Sequence, residues 1–403
     1  MMPRLRWPEG LDAASFCHRY WQREAFYIAQ AFNPVTPPLD RHQLAQLACE
    51  YGVDARLISG GYADNNWQLK SGPFTPAYFQ TLPEKAWTLL VCGVDTWVPE
   101  AADLLGQFRF MPDYRIDDLM VSFAVPGGSV GPHVDQYDVF LIQAEGLHRW
   151  QIASPTGDDP DCVADLPIQI LKSFAPAQEW TLEPGDMLYL PPGVPHYGVA
   201  LEPGMTLSVG FRAPAQDELL ARVCRFLVAG ANSQRRARDA QPVFSHEPAC
   251  LTKTALQPMR TLLRQVLDDE SRLQHALAAA LSCSGAYYPD DSQAPTDWLE
   301  RLRDGGQLRR SPEMRGVYLR EGDWACLYIE GEEIRMPLAL AQLACDSPAH
   351  REAHSCTGRR FLLNYDSLQP WLQSPDDRAR LDTLIAFGFL EWADDIPESI
   401  RQD

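Results

Sequence analysis

The sequence predicts a mainly β protein flanked by helices. Between about 56 and 212, short segments rich in β-branched and aromatic residues alternate with Gly/Pro turns. Many short strands at such spacing are typical of a β-sandwich or barrel. The segments on either side carry apolar residues at helical spacing instead. Because 403 residues are too many for one ordinary domain, we expect a β-rich domain with helical and mixed additions.

Each element follows from a local pattern. Helices are predicted over 11–31 and over 40–52, and after Pro214 over 217–230 and 259–282. The predicted strands are, in order, WTLLVCGV, LMVSFAV, YDVFLIQ, HRWQI, DMLYLP and TLSVGFR. The polar segment 286–311 predicts a linker, and 311–393 combines a hairpin with helices, as in a small α+β module. The predicted domain boundaries are therefore 1–214, 215–285 and 286–403.

Composition and charge narrow the range of partners. The formal net charge of -19 argues against general affinity for nucleic acid or anionic membranes and favours a basic partner. No apolar stretch of transmembrane length occurs, and the N-terminus lacks the pattern of a secretory signal. We therefore expect a cytoplasmic protein. Its ten cysteines form no CxxC pair, so the spacing of a cysteine-built zinc site is missing.

The run VPGGSVGPHVDQYDVFLIQ contains the chemically informative residues. His133 and Asp135 are separated by one residue, so on a strand both side chains would project from one face. The later run PPGVPHYG supplies His196 as a third ligand. Two histidines and one carboxylate are the facial arrangement of non-haem iron(II) oxygenases, which leaves positions open for a bidentate co-substrate and dioxygen. Zinc would accept the same ligands, but a closed structural site usually has four protein ligands.

The runs RIDDLMVSFAVPGGSVGPHVDQYDVF, EPGDMLYLPPGVPH and SVGFRAP resemble those of bacterial JmjC-type ribosomal oxygenases. The resemblance is close over about 56–214 and implies a JmjC/cupin double-stranded β-helix with N-terminal helices over 1–214. It also implies a helical dimerisation region over 215–285, and a linker with a winged-helix-like module over 286–403. The implied cofactor and co-substrates are Fe(II), 2-oxoglutarate and dioxygen. The implied reaction is β-carbon hydroxylation of an arginine in a basic ribosomal protein, with succinate and CO2 as co-products.

The resemblance also suggests which residues bind the co-substrate. Where the family has a lysine or arginine for the distal carboxylate of 2-oxoglutarate, this sequence has His148, and we hypothesise that an imidazolium replaces the cation. Ala124 is a second departure, since a hydroxyl-bearing residue there supports the same carboxylate. Thr206 lies where the family has a polar group near the 1-carboxylate. Arg212, on the same strand face, is either a structural ion-pair residue or an anion ligand.

An arginine substrate requires a carboxylate for its guanidinium and a wall for its side chain. We predict that Asp118, Tyr137 and Ser208 supply these contacts. Two alternatives remain open at this point, because fold alone does not determine function. One is a JmjC hydroxylase or demethylase of another side chain. The other is a non-catalytic ribosome-associated binding module, for which the departures at His148 and Ala124 are the only support. A homodimer without direct nucleic-acid binding is expected.

Overall fold

The computed structural model describes residues 4–62, 66–155, 160–164, 166, 168–231, 234–238, 246–247, 249–283, 294–345 and 362–394. They divide into two compact units, with the main boundary between Ala213 and Pro214. The predicted fold class, mainly β with helices, is confirmed. None of the described helices is long and apolar enough to cross a membrane.

Strands dominate the first unit. They are β1 (Phe26–Ile28), β2 (Ala55–Ser59), β3 (Gln68–Ser71), β4 (Trp87–Val91), β5 (Ile116–Ala124), β6 (His133–Val134), β7 (Asp138–Glu145), β8 (His148–Ile152), β9 (Gln178–Leu182), β10 (Met187–Leu190), β11 (Pro195–Ala200) and β12 (Gly204–Phe211). The helices of this unit are α1 (Ala13–Arg19), α2 (Arg41–Leu47), α3 (Pro76–Phe79), α4 (Val94–Trp97) and α5 (Pro99–Leu105).

These strands form two antiparallel sheets. The larger has the order β1-β10-β7-β12-β5-β4-β2-β3, and the smaller has the order β6-β11-β8-β9. From β5 onwards the chain passes repeatedly from one sheet to the other, which is the winding of a double-stranded β-helix, as the resemblance implied. Inward-facing side chains of the two sheets enclose a cavity of about 740 Å3.

Strand β7 shows how the apolar pattern places the cavity. Val139 and Leu141 line the cavity, whereas Phe140 and Ile142 enter the main hydrophobic core on the other face of the large sheet. A strand buried on both faces has no polar alternation, which explains the continuous apolar run VFLI. The main core also takes in Phe16 of α1, which is fully buried against the rings of Phe140 and Tyr189 and other aromatic residues.

The single helix predicted over 11–31 is wrong beyond Arg19. The chain turns at Gln22, which has a left-handed φ of 55°, and then forms β1 at the edge of the large sheet. Phe26, Tyr27 and Ile28 pair with Tyr189, Leu188 and Met187 of β10. Aromatic and β-branched residues favour such a position, and pairing with an exposed sheet edge overrides the helical spacing.

The second unit contains helices and two three-stranded sheets, of order β17-β13-β18 and β14-β15-β16. Its elements are α6 (Gln216–Ala229), α7 (Lys253–Leu267), α8 (Glu270–Ser282), α9 (Trp298–Arg303), β13 (Leu308–Arg310), β14 (Gly316–Glu321), β15 (Trp324–Ile329), β16 (Glu332–Pro337), α10 (Leu338–Cys345), β17 (Leu362–Leu363), α11 (Tyr365–Leu372), α12 (Pro375–Ala386) and β18 (Leu390–Trp392). The division at 285/286 and the winged-helix assignment remain predictions.

Two sequence-based expectations fail in this unit. The helix predicted over 259–282 is two helices, because Asp269 caps α8 by accepting a hydrogen bond from the Arg272 amide. The predicted linker 286–311 is wrong for its described part. Helix α9 lies there and buries Trp298 and Leu302, while 284–293 lies outside the described residues.

The Phe16 side chain is predicted to hold α1 onto the large sheet. Phe16→Ala should lower the free energy of unfolding of the first unit by about 3–5 kcal/mol, because it leaves a cavity among packed rings. Urea unfolding followed by tryptophan fluorescence measures this change. Tyr51→Ala, at a side chain that is 91% exposed, is the control and should change stability by less than about 0.5 kcal/mol. Equal effects of the two substitutions would contradict the packing argument.

Candidate metal centre

His133, Asp135 and His196 converge at one end of the cavity. His196 lies directly opposite His133 in the β11–β6 pair. The Asp135 carbonyl accepts a hydrogen bond of 2.8 Å from the Gly193 amide, which ties the residue after β6 to the turn before β11. Asp135 Oδ2 lies 3.5 Å from His196 Nε2 and 3.8 Å from His133 Nε2. The three donor atoms all lie within 4.8 Å of one another.

Backbone carbonyls orient both imidazole rings. His133 Nδ1 lies 2.9 Å from the Gly131 carbonyl, and His196 Nδ1 lies 3.0 Å from the Val194 carbonyl. Because a carbonyl only accepts, each Nδ1 carries the proton and each Nε2 presents a lone pair. Burial, assisted by the neighbouring His133, lowers the pKa of His196 to about 4. The ring is therefore neutral at physiological pH, as a metal ligand must be.

Gly131 explains part of the GPH motif. Its φ is +80°, and a Cβ there would lie 2.2 Å from the Ile170 side chain and 3.0 Å from that of Trp67. Only glycine fits this position without strain, and its carbonyl then reaches His133. The donor set and its orientation fit a 2-His-1-carboxylate iron(II) centre with open positions.

His148 lines the same cavity, stacked on Trp150 with ring centroids 5.0 Å apart. Burial lowers the pKa of His148 to about 4. Without a bound carboxylate the ring is therefore neutral between pH 6 and 8, and the imidazolium hypothesised at His148 stays a prediction that would require the co-substrate carboxylate to raise this pKa. A neutral ring can still donate one hydrogen bond. Arg149 points away from the cavity, as strand alternation requires.

Two further donors of the cavity wall are missing from the sequence-based prediction. Trp150 Nε1 and Thr88 Oγ1 are buried and have no hydrogen-bond partner within the described part of the chain. Buried polar groups are rarely left unpaired, so both indicate space for a ligand acceptor. Thr88 lies directly opposite Ala124 in the β4–β5 pair. A hydroxyl is therefore present across the strand from the position where the family pattern has one.

Ala124 and Arg212, predicted as co-substrate residues, are not among the described residues that line the cavity. Ala124 is buried, and the Arg212 amide donates to the Arg115 carbonyl at 2.6 Å. Thr206 does line the cavity, but its hydroxyl donates to Gln143 Oε1 at 2.9 Å. As placed, this hydroxyl offers a ligand only acceptor lone pairs.

The predicted substrate residues Asp118, Tyr137 and Ser208 all line the cavity. Asp118 accepts a hydrogen bond of 2.7 Å from the Gly93 amide. Burial raises the pKa of Asp118, and this hydrogen bond opposes the shift. Burial raises the pKa of Tyr137 and the neighbouring Asp135 carboxylate raises it further, although 43% of the residue is exposed. Tyr137 therefore connects the cavity surface with a metal ligand.

Arg56 is the one lysine or arginine among the described residues that line the cavity. It pairs with Asp54 at 2.9 Å and lies 3.2 Å from Cys92 Sγ. Asp117 and Asp118 also line this side of the cavity. The excess of carboxylates gives this wall an affinity for cations. Sequence patterns alone did not reveal it, because these residues come from separate strands.

Gly198 lies between the metal centre and the stacked rings. A Cβ at this position would lie 2.7 Å from the Trp150 ring and 2.9 Å from His148 Nε2. The absence of a side chain at Gly198 is therefore what allows both rings to face the cavity.

Comparison with known proteins shows extensive similarity. Residues 103–219 match the JmjC domain family. The chain is 33% identical to the Escherichia coli ribosomal protein uL16 3-hydroxylase over 96% of its own length and 97% of that protein. An X-ray structure of E. coli YcfD superposes with a TM-score of 0.80 at 31% identity, covering 97% of this chain and 100% of that one. A structure of the E. coli ribosomal oxygenase YcfD in complex with cobalt and 2-oxoglutarate gives a TM-score of 0.76 at 32% identity, covering 97% and 99%.

Replacing the metal carboxylate should remove metal binding while leaving the fold intact. Asp135→Asn keeps the size of the side chain but removes its charge, so affinity for Co²⁺ or Fe²⁺ at this centre should fall by at least about 100-fold. Anaerobic calorimetry measures the affinity. Asp161→Asn, at a side chain that is 77% exposed, is the matched control and should bind metal like the wild type. Unchanged binding by Asp135→Asn would refute the assignment.

Proposed function

The chain belongs to the family of JmjC ribosomal oxygenases, and from this premise we propose that it hydroxylates the β-carbon of an arginine in ribosomal protein uL16. The convergence of His133 Nε2, His196 Nε2 and Asp135 Oδ2 at the cavity carries the proposal. It is an Fe(II)- and 2-oxoglutarate-dependent dioxygenase. Because its substrate would be a ribosomal protein, we place its activity in the cytoplasm.

Fe(II), 2-oxoglutarate and dioxygen, when bound, would supply the oxidising chemistry and yield succinate and CO2. The residues of the chain position the reactants. His133, Asp135 and His196 would hold the metal, and three protein ligands would leave coordination positions free for the co-substrate. The enclosing strands exclude bulk water and fix the substrate near the metal, which lowers the entropic cost of reaction.

The co-substrate pocket depends on neutral hydrogen-bond donors. His148, Trp150 Nε1 and Thr88 Oγ1 lie on the cavity wall, and the last two are buried without a hydrogen-bond partner among the residues that the structure describes. We assign to these three groups the distal carboxylate of 2-oxoglutarate. Thr88 supplies the hydroxyl that Ala124 lacks, from the directly opposite position on β4. The Thr206 hydroxyl donates to Gln143 Oε1 as placed, so a hydrogen bond from Thr206 to the co-substrate carboxylate requires this hydroxyl to turn away from Gln143. Arg212 keeps the structural role that was its alternative.

The opposite wall fits a cationic side chain. Asp118 is partly buried, and burial raises its pKa although the nearby Arg56 guanidinium opposes the shift; a substrate guanidinium beside it would stabilise the carboxylate further. Tyr137 and Ser208 line the path towards the metal. A basic ribosomal protein is also the partner that the net charge of -19 favours.

The first test is hydroxylation of uL16. Incubation with Fe(II), 2-oxoglutarate and purified uL16 should add the mass of one oxygen atom to an arginine-containing peptide, with stoichiometric succinate, as measured by mass spectrometry. His133→Ala should abolish both products. A mass gain on another side chain, or loss of a methyl group, would favour a different JmjC activity. Metal binding without any succinate would favour the non-catalytic alternative.

The neutral co-substrate pocket predicts a flat pH profile. His148 has a pKa lowered to about 4, so its ring stays uncharged from pH 6 to 8 and would gain the charge that strengthens carboxylate binding only well below this range. The KM for 2-oxoglutarate should change by less than about twofold between pH 6 and 8. A KM that rises steeply from pH 6 to 8 would instead indicate an imidazolium.

Removing the ring tests whether His148 contributes to binding of the co-substrate. His148→Ala should raise the KM for 2-oxoglutarate by about 10- to 100-fold, the effect of losing one hydrogen bond to a charged group. Arg149→Ala, next to it on the opposite strand face, is the control and should leave the KM unchanged. Equal effects of the two substitutions would contradict the assignment of His148.

The helical region supports a homodimer. Helix α7 has no buried residue, and Met259, Leu263 and Leu267 form an exposed apolar stripe at i, i+4 and i+8 spacing. Leu220 and Val228 of α6 are also exposed. Apolar stripes of this kind on a helix are typically covered by another helix. We propose that a second copy of the chain covers this apolar stripe of α7.

A charge on the stripe should therefore dissociate the dimer. Leu263→Glu should convert the dimer to a monomer in light scattering at micromolar concentration, because it buries an unpaired carboxylate in the interface. Tyr51→Glu, at an exposed residue of the first unit, is the control and should remain dimeric. A wild-type chain that is monomeric, or a Leu263→Glu variant that is dimeric, would refute this interface.

A further inference from the structure

A second group of metal-ligating side chains lies in the second unit. His275 on α8, Glu321 at the end of β14 and Cys326 on β15 each offer one donor atom, and these atoms lie within 4.8 Å of one another. His275 Nε2 lies 3.5 Å from Glu321 Oε1. The same distance separates His196 Nε2 and Asp135 Oδ2 in the JmjC centre.

Packed secondary structure holds these groups in place. Strand alternation puts Cys326 and Tyr328 of β15 on the same sheet face, and both pack against Ala278 and Ala279 of α8. Cys326 is 2% exposed. Its thiol lies within hydrogen-bonding reach of Glu321 and of Glu333 on β16. The donors therefore come from one helix and adjacent strands, which explains why no CxxC-type spacing reveals them in the sequence.

The hydrogen bonds around His275 leave one ring nitrogen without a proton. The Tyr328 hydroxyl donates to Glu333 Oε2 at 2.8 Å, so it accepts from His275 Nδ1. In the neutral ring, Nε2 then presents a lone pair to the Glu321 carboxylate, and two acceptors face each other. Either a proton on Nε2 or a cation between the two atoms relieves this repulsion.

Cys326 favours the cation. An imidazolium between two carboxylates requires no sulfur, whereas a thiolate completes a nitrogen, oxygen and sulfur donor set. His275 Nδ1 contacts the Tyr328 hydroxyl and lies near Glu333. Hydrogen bonds of this kind orient the ring of a metal-bound histidine. We propose that His275, Glu321 and Cys326 bind a divalent metal ion of borderline softness, with Zn²⁺ as the candidate. The side chains of His275 and Glu321 are 23% and 37% exposed, which leaves a path to solvent.

A metal ion at this site would link α8 to the β14–β15 hairpin through coordination bonds and stabilise the second unit. It is independent of the proposed hydroxylase activity, because none of its ligands lines the JmjC cavity. Loss of this site should therefore leave succinate formation unchanged while lowering the melting temperature of the metal-loaded protein.

Co²⁺ titration of the full chain tests the proposal. A cobalt–thiolate bond gives a near-ultraviolet charge-transfer band, which the nitrogen and oxygen ligands of the JmjC centre cannot produce. The band is expected in the wild type and in His133→Ala, and it should be lost in Cys326→Ser. Cys345→Ser, at another buried cysteine, is the matched control and should retain the band.

A wild-type chain that binds Co²⁺ at the JmjC centre without the band overturns the proposal. A band that persists in folded Cys326→Ser overturns it too, because the sulfur ligand then lies elsewhere. If Cys326→Ser does not fold, the Glu321→Gln variant tests the proposed site instead, because Glu321 is partly exposed and its replacement should not disturb the fold. It should bind Zn²⁺ at this site at least about tenfold more weakly by metal analysis, with unchanged succinate formation. Wild-type Zn²⁺ content in Glu321→Gln would count against the site.

Discussion

His196 lies directly opposite His133 in the β11–β6 pair, and the rest of the site depends on that register. A slip of one residue would turn either imidazole to the other face of the sheet. The segments just before these two strands carry the carbonyls that orient both rings, and the Gly193 amide fixes the Asp135 backbone. The metal ligands are thus positioned by backbone hydrogen bonds, which change little when side chains elsewhere in the cavity vary.

The two walls of the cavity have opposite chemical character. One presents neutral donors from Thr88, His148 and Trp150, and the other presents carboxylates that include Asp118. An anionic co-substrate and a cationic side chain would therefore enter from different sides and meet at the metal. Because the donor wall lacks a fixed positive charge, it does not compete with the substrate for the acidic wall.

Much of this arrangement could be predicted from the sequence. Period-two alternation places His133, Asp118 and Thr206 on inward faces, and the apolar run of β7 indicates a doubly buried strand. Other features depend on contacts between distant segments. The residues of β1 have helical spacing in the sequence, and they form a strand because they pair with β10. The pKa of His148 is lowered by burial, which no local sequence pattern predicts. Thr88 lies opposite Ala124 only because β4 and β5 are adjacent, and Cys326 lies near His275 only through the packing of α8.

Gly198 places a restriction on how this pocket can change during evolution. A side chain at position 198 would clash with the rings of Trp150 and His148. Substitutions at positions 148, 150 and 198 are therefore sterically dependent on one another. A lineage could enlarge residue 198 only after shrinking one of the rings, and an arginine at 148 would require the same open space. Co-variation of these three positions among relatives, rather than conservation of any one of them, would record this steric coupling.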